Sequence, residues 1–108
     1  MAFDLKLVER IRPLLKGIPF VEKKMFGGVG FLIHGNMACG VLEDSLIIRV
    51  KPEKYETLLK KPHVRLFDFS GRPMKGWLVV DAKGCKTSSQ LGKWVKEGTE
   101  VALTLPPK

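Results

Sequence analysis

A chain of 108 residues with 44% hydrophobic and 28% charged residues is long enough for one packed domain and too apolar to stay disordered. Nineteen Lys and Arg against eleven Asp and Glu give a formal charge of +8, which invites a nucleic-acid reading to be weighed against a plain solvated surface. No apolar run approaches the roughly 18 residues of a membrane span, no apolar h-region follows the N-terminus, and Cys39 and Cys85 make neither a disulfide framework nor a zinc spacing, so a reducing, cytoplasmic setting is expected.

In chain order, residues 3–16 predict an amphipathic helix. Leu7, Val8, Ile11, Leu14 and Leu15 share one face of the helical period, Asp4 is placed as N-cap, and Pro13 should kink or end the last turn before Gly17. From 21 to 50 the period is that of strands: Val21–Phe26, Val29–Ile33, Met37–Leu42 and Ser45–Val50. Gly35-Asn36 is read as a two-residue hairpin loop because both residues tolerate positive φ, and Glu43-Asp44 as the next turn. Pro52 and Glu53 open a second helix with Tyr55, Leu58 and Leu59 as its buried stripe, stopped by Pro62. Val64–Phe69 is a short strand, Ser70–Pro73 a turn and Met74–Asp81 a further strand. Thr87 with Gln90 forms a capping box for a third helix, Ser88–Leu103, with Leu91, Trp94, Val95, Val101 and Ala102 on one side. Gly92 and Gly98 each cost that helix about 1 kcal/mol relative to Ala, so packing must hold it. The order α-β-β-β-β-α-(β)-β-α, with hairpin-linked strands that must run antiparallel, predicts a single α+β domain over 1–108. It would have two layers, an antiparallel sheet of about five strands with helices packed on it.

With two-residue loops in both hairpins, 33 pairs with 38, 31 with 40, 41 with 46 and 39 with 48. Leu32, Met37, Cys39, Val41, Leu46, Ile48 and Val50 then share the face expected beneath the helices. Val29, Phe31, Ile33, Ala38, Gly40, Leu42, Ile47 and Arg49 share the other. A two-layer protein normally presents a polar outer face, and this one is mostly apolar. Either a helix or the chain ends cover it, or it is the surface of a homodimer or of a partner complex.

The chemistry-bearing residues are sparse. Met25-Phe26-Gly27-Gly28-Val29-Gly30 has the glycine density of a phosphate loop but lacks Gly-Lys-Ser/Thr and runs into a strand, so a bend needing bare backbone accounts for it. Cys39, mid-strand among aliphatic residues, reads as a buried structural thiol. Cys85 reads as an exposed, incidental loop thiol whose pKa Lys83 and Lys86 would lower. His34 sits in a turn and His63 follows Pro62, neither with a ligand or triad partner at useful spacing, and the carboxylates form no catalytic pair. No catalytic residue, metal ligand or cofactor site is therefore assigned, and an enzyme is not expected. The basic residues are concentrated: Arg49, Lys51, Lys54, Lys60, Lys61, Arg65, Arg72 and Lys75 face only Glu53, Glu56 and Asp68, a local +5 that leaves +3 for the other 81 residues. With Phe67, Phe69 and Trp77 nearby, this is either a nucleic-acid surface or a solvated one.

The string Lys24-Met25-Phe26-Gly27-Gly28, then Gly35-Asn36-Met37, Gly40-Val41, Leu46 and Arg49-Val50, resembles the N-terminal domain of the TfoX/Sxy family. The likeness continues through Pro52-Glu53-Lys54-Tyr55, Pro62, Phe67, Gly71-Arg72-Pro73-Met74 and Gly76, and Trp94 and Leu105-Pro106-Pro107-Lys108 are similar to small stand-alone members. The resemblance implies a two-layer α+β fold similar to type III secretion chaperones. It also implies kinship with bacterial regulators of natural competence that act with the cyclic-AMP receptor protein at promoters. Full-length relatives carry a second domain of helix-hairpin-helix type, which a chain ending at Lys108 is expected to lack. The family supplies no catalytic residues; Lys24, Met25, Phe26, Gly27, Gly28, Arg49, Arg72, Pro73 and Met74 match its motifs.

Three readings follow. The first is a non-catalytic protein-interaction or regulatory module with a protein partner or a second copy of itself. The second is a nucleic-acid binder, acting directly or through a transcription regulator, with Lys54, Lys60, Lys61, Arg65 and Lys75 as anion contacts. The third is a small ligand-binding protein or enzyme with a pocket near Gly27-Gly28 and Arg72.

Overall fold

The computed structural model describes residues 4–25, 27–69 and 72–107, with the backbone alone for 25, 69 and 72–75. Asp4 accepts a hydrogen bond from the Lys6 amide at 2.9 Å and so starts α1 (Leu5–Ile11). Pro13 has no N–H to donate, and the chain continues past α1 as a 3-10 turn over Arg12–Leu15. Strands β1 (Val21–Met25), β2 (Gly28–Ile33), β3 (Asn36–Leu42) and β4 (Ser45–Arg49) follow. A 3-10 turn over Pro52–Lys54 leads into α2 (Tyr55–Leu59), then come β5 (Val64–Phe69), β6 (Arg72–Val80), a 3-10 turn over Ala82–Cys85 and α3 (Ser88–Thr104). Thr87 and Gln90 close the capping box of α3 through two hydrogen bonds of 3.1 Å.

The strands form one antiparallel sheet of six, in the order β1-β2-β3-β4-β6-β5. This is the expected α+β architecture, and the strand bracketed in the expected order, Val64–Phe69, is present and brings the sheet to six. All the helices pack on the same side. Leu7, Val8 and Ile11 of α1, Leu58 of α2 and Leu91, Trp94, Val95 and Ala102 of α3 share a core with Val29, Phe31, Ile33, Cys39, Val41, Leu46, Ile48, Leu78 and Val80. A second, smaller cluster is made by Ile47, Phe67 and Val79 with Met37, Leu42 and Trp77 half-buried around them, and no described helical residue joins it.

The β3–β4 hairpin has the expected register, with Val41 opposite Leu46 and Cys39 opposite Ile48. The β2–β3 hairpin does not. Its loop is His34-Gly35, with φ of 53° and 83°, and Ile33 pairs with Asn36. Asn36 is buried instead of turning the chain, and its Nδ2 donates to the Pro106 carbonyl at 3.0 Å, tying the C-terminal segment to the sheet. Leu32 pairs with Met37 and Phe31 with Cys39, which leaves Ala38 as an extra, bulged residue. Val29, Phe31, Ile33 and Ala38 therefore belong to the helix-covered core, and Leu32 and Met37 to the opposite face, the reverse of the sequence assignment. Gly40 lies opposite Gly30, not Phe31. The bulge also seats α3, because a Cβ on Gly98 would run into the Ala38 carbonyl oxygen, so only glycine lets the helix backbone come this close. At the far edge, β6 begins at Arg72, paired with Phe69, so Arg72 and Pro73 belong to the strand and not to the predicted turn, whose Ser70 and Gly71 lie outside the described residues.

Candidate functional site

Two concave features stand out among the described residues. The first lies on the sheet face that no described helix covers. Leu42, Ile47, Phe67 and Val79 line a hollow of about 280 Å³ whose rim includes Glu43, Arg65 and Asp68. Ile47, Phe67 and Val79 are buried there by their strand neighbours rather than by a second layer. The Arg49 guanidinium stands 5.1 Å from the centroid of the Trp77 ring, which it faces across the β4–β6 pair. Arg65 is held at 3.0 Å by Asp81. Lys23 falls on the same face by its register opposite Gly30, and Val21, on the β1 edge, is 63% exposed.

The second is a cleft of about 550 Å³ between α2 and α3, on the helical side. Leu58, Pro62 and Trp94 contribute apolar surface to it, and Lys54, Lys61, Lys93 and Lys96 contribute charge. Two ion pairs cross it at one end, Lys54–Glu97 at 3.0 Å and Lys51–Glu100 at 3.6 Å. The hydrogen bond from Lys54 to Glu97 raises the pKa of Lys54, while the second carboxylate oxygen of Glu97 is buried without a partner among the described residues. Lys61 Nζ lies 5.9 Å from the Trp94 ring centroid. The sequence reading missed this cleft because Gln90, Lys93 and Lys96 lie outside the basic segment. The available signal was the helical spacing that puts 90, 93, 94 and 97 on one side of α3.

The profile of the TfoX N-terminal domain matches residues 14–102 of the 108. The chain belongs to the TfoX N-terminal domain family. No curated protein and no solved structure matches it. The TfoX motif residues sort onto hairpin tips. Lys24, which is exposed, and Met25 end β1, Gly27 takes φ of 78° in the β1–β2 loop, and a Cβ on Gly28 would strike the Val41 carbonyl oxygen. Gly28 is thus explained by backbone approach and Gly27 by its positive φ. Phe26 lies outside the described residues. Arg72, Pro73 and Met74 begin β6 at the opposite end of the sheet, since the alternating strand directions carry the chain there. Four strand spacings, roughly 19 Å, separate β1 from β6. The pocket expected near Gly27-Gly28 and Arg72 is therefore not formed by these residues.

The basic segment of this TfoX domain is also divided. Arg49 and Arg65 stand on the open sheet face, whereas Lys54 and Lys61 line the helical cleft. Lys60 is exposed beyond the end of α2, and the side chain of Lys75 lies outside the described residues. The segment crosses from sheet to helix layer and back, so its charge does not make one patch.

The cysteines are both buried. Burial pushes the Cys39 thiol up to about 12. Cys85 differs from the sequence expectation: it sits inside the 3-10 turn over Ala82–Cys85, its Sγ faces the Asp81 and Ala82 carbonyl oxygens at 3.6 and 3.8 Å, and burial raises its pKa rather than the lysines lowering it. His34 and His63 are exposed, both at positive φ. Among the described residues no group of three or more His, Cys, Asp or Glu could hold a metal ion, and no helix is long and apolar enough to cross a membrane.

Proposed function

We propose that this TfoX-family domain is a non-catalytic interaction module that docks a protein partner on its uncovered sheet face. The observation that carries the reading is the one-sided packing: every helix covers the same face of a six-stranded sheet, and the other face keeps an apolar hollow sized for a large anchoring side chain. Lys23 and Arg49 on the same face and Arg65 on the rim supply positive charge, against Glu43 and Asp68 on the rim, and the chain carries +8 overall. The complementary occupant is a protein with an apolar anchor ringed by acidic residues. A second copy docked face to face would bring the same cations together, which disfavours the homodimer. The regulatory link to competence implied by the family resemblance enters here, with the partner as the component that reaches the promoter.

The test compares wild type with Met37→Glu/Leu42→Glu, both half-buried positions on that face. Stoichiometric co-purification of one acidic partner, lost in the variant at unchanged melting temperature, is the expected result. A self-associated wild type dissociated by the variant, or a partner retained equally by both, refutes it. Direct DNA or RNA binding whose salt slope falls by about one unit for each of Lys60→Ala, Lys61→Ala and Arg72→Ala would favour the nucleic-acid reading instead.

A further inference from the structure

The cleft between α2 and α3 lies on the helical side, away from the open sheet face, and it is built differently. Its volume of about 550 Å³ falls within the range of small-molecule sites. Its charges are unevenly paired along its length. Lys51 and Lys54 are engaged by Glu100 and Glu97, which neutralises the end nearer the C-terminus of α3. Toward the N-terminus of α3 the balance is cationic: Lys61, Lys93 and Lys96 have no carboxylate within ion-pair distance among the described residues.

Gln90 strengthens the asymmetry. Its Oε1 accepts from the Thr87 amide at 3.1 Å, so the polar atom it has left for the cleft is the Nε2 donor. It also sits in the first turn of a 17-residue helix, where the helix dipole favours an anion. Lys61, Lys93 and Gln90 thus present only donors at this end, next to an apolar floor of Leu58, Pro62 and Trp94.

We propose that the cleft binds a small organic phosphate with an aromatic body. The phosphate would lie against Lys61, Lys93 and the Gln90 amide, and the ring over Leu58, Pro62 and the edge of Trp94. A phosphate dianion carries about twice the charge of a carboxylate, and the cationic end of the cleft offers lysines and no arginine fork. Several lysine ammonium groups, acting as point charges, suit the denser charge of a phosphate dianion.

The test is isothermal titration of the full chain with phenyl phosphate, inorganic phosphate and benzoate, read in parallel by Trp94 emission in a Trp77→Phe background. Phenyl phosphate is expected to bind saturably at one site. Its affinity should be about tenfold above that of either fragment, and should fall about tenfold in Lys61→Ala/Lys93→Ala. Lys61→Gln and Lys93→Gln keep most of each apolar stem and should show the same loss. Lys23→Ala/Arg49→Ala, on the sheet face, should leave it unchanged. Absence of saturable binding, equal binding of inorganic phosphate or of benzoate, or full affinity in the Lys61/Lys93 variants overturns the proposal. None of these outcomes bears on the sheet-face reading.

Discussion

Two glycines in α3 should respond to the same substitution in opposite ways. Alanine in place of glycine within a helix contributes about 1 kcal/mol through backbone entropy. At Gly92 nothing lies within 4 Å of the added Cβ, so Gly92→Ala should stabilise the protein by about that amount. At Gly98 the same Cβ meets the Ala38 carbonyl oxygen, the Ala38 carbonyl carbon at 3.0 Å and Ile48 Cδ1 at 2.7 Å. The isoleucine methyl can rotate away, but the carbonyl belongs to the β3 bulge, and moving it means lifting the helix or reshaping the strand. Overpacking of this kind costs roughly 1–3 kcal/mol, more than the entropy term returns. Gly98→Ala should therefore be net destabilising by about 1 kcal/mol, leaving the two variants about 2 kcal/mol apart. Urea unfolding followed by circular dichroism should show the midpoint rising for Gly92→Ala and falling for Gly98→Ala at unchanged slope. The melting temperatures should differ by roughly 8 °C or more. Gly98→Ala in an Ile48→Val background should recover only part of the loss, because the carbonyl contact persists. A Gly98→Ala protein as stable as Gly92→Ala would refute the close seating of α3 on the bulge.

Other consequences can be checked on the same footing. Asn36→Ala removes the buried donor to Pro106 and should cost about 1 kcal/mol, with faster amide exchange confined first to Thr104 and Leu105, the last amides before Pro106. Thr87→Ala removes the oxygen that caps α3 and should also cost about 1 kcal/mol, measured as a shift in urea midpoint. Cys39 supplies a pH dependence. Its thiol is held at about 12 in the folded protein against 9.0 as its ordinary value, so the folded state keeps a proton that the unfolded chain loses between those limits. The contribution is complete below about pH 9 and is lost as pH rises toward 12, at a slope of at most about 1.4 kcal/mol per pH unit. Wild type minus Cys39→Ala should show this fall in stability above pH 9, and a flat difference would contradict the burial.

Local chemistry made much of the fold legible. Asp4, Pro13, Pro52 and the Thr87–Gln90 pair place helix starts and stops through backbone donors and caps, which act within four residues and so can be read in a line. The Glu43-Asp44 turn and the register that follows it were legible for the same reason. The six-strand order, the open face and the cleft were not. A choice of one residue in the His34–Asn36 turn, compensated by a bulge at Ala38, exchanged the faces of β2, because strand side chains alternate and a single unpaired residue inverts the parity. Asn36, left out of the turn, is used instead by Pro106, seventy residues away, a contact that no local pattern announces. The basic segment likewise appeared continuous along the chain but is split between the two layers, since α2 carries Lys54 and Lys61 across the helical side toward α3 while Arg49 and Arg65 stay on the strands. The length, the excess of positive charge and the family motifs are properties of the chain by itself. Which cations stand together is a property of packing, because only tertiary contact brings Lys61 and Lys93 to one cleft and leaves Arg49 against Trp77 on the other side.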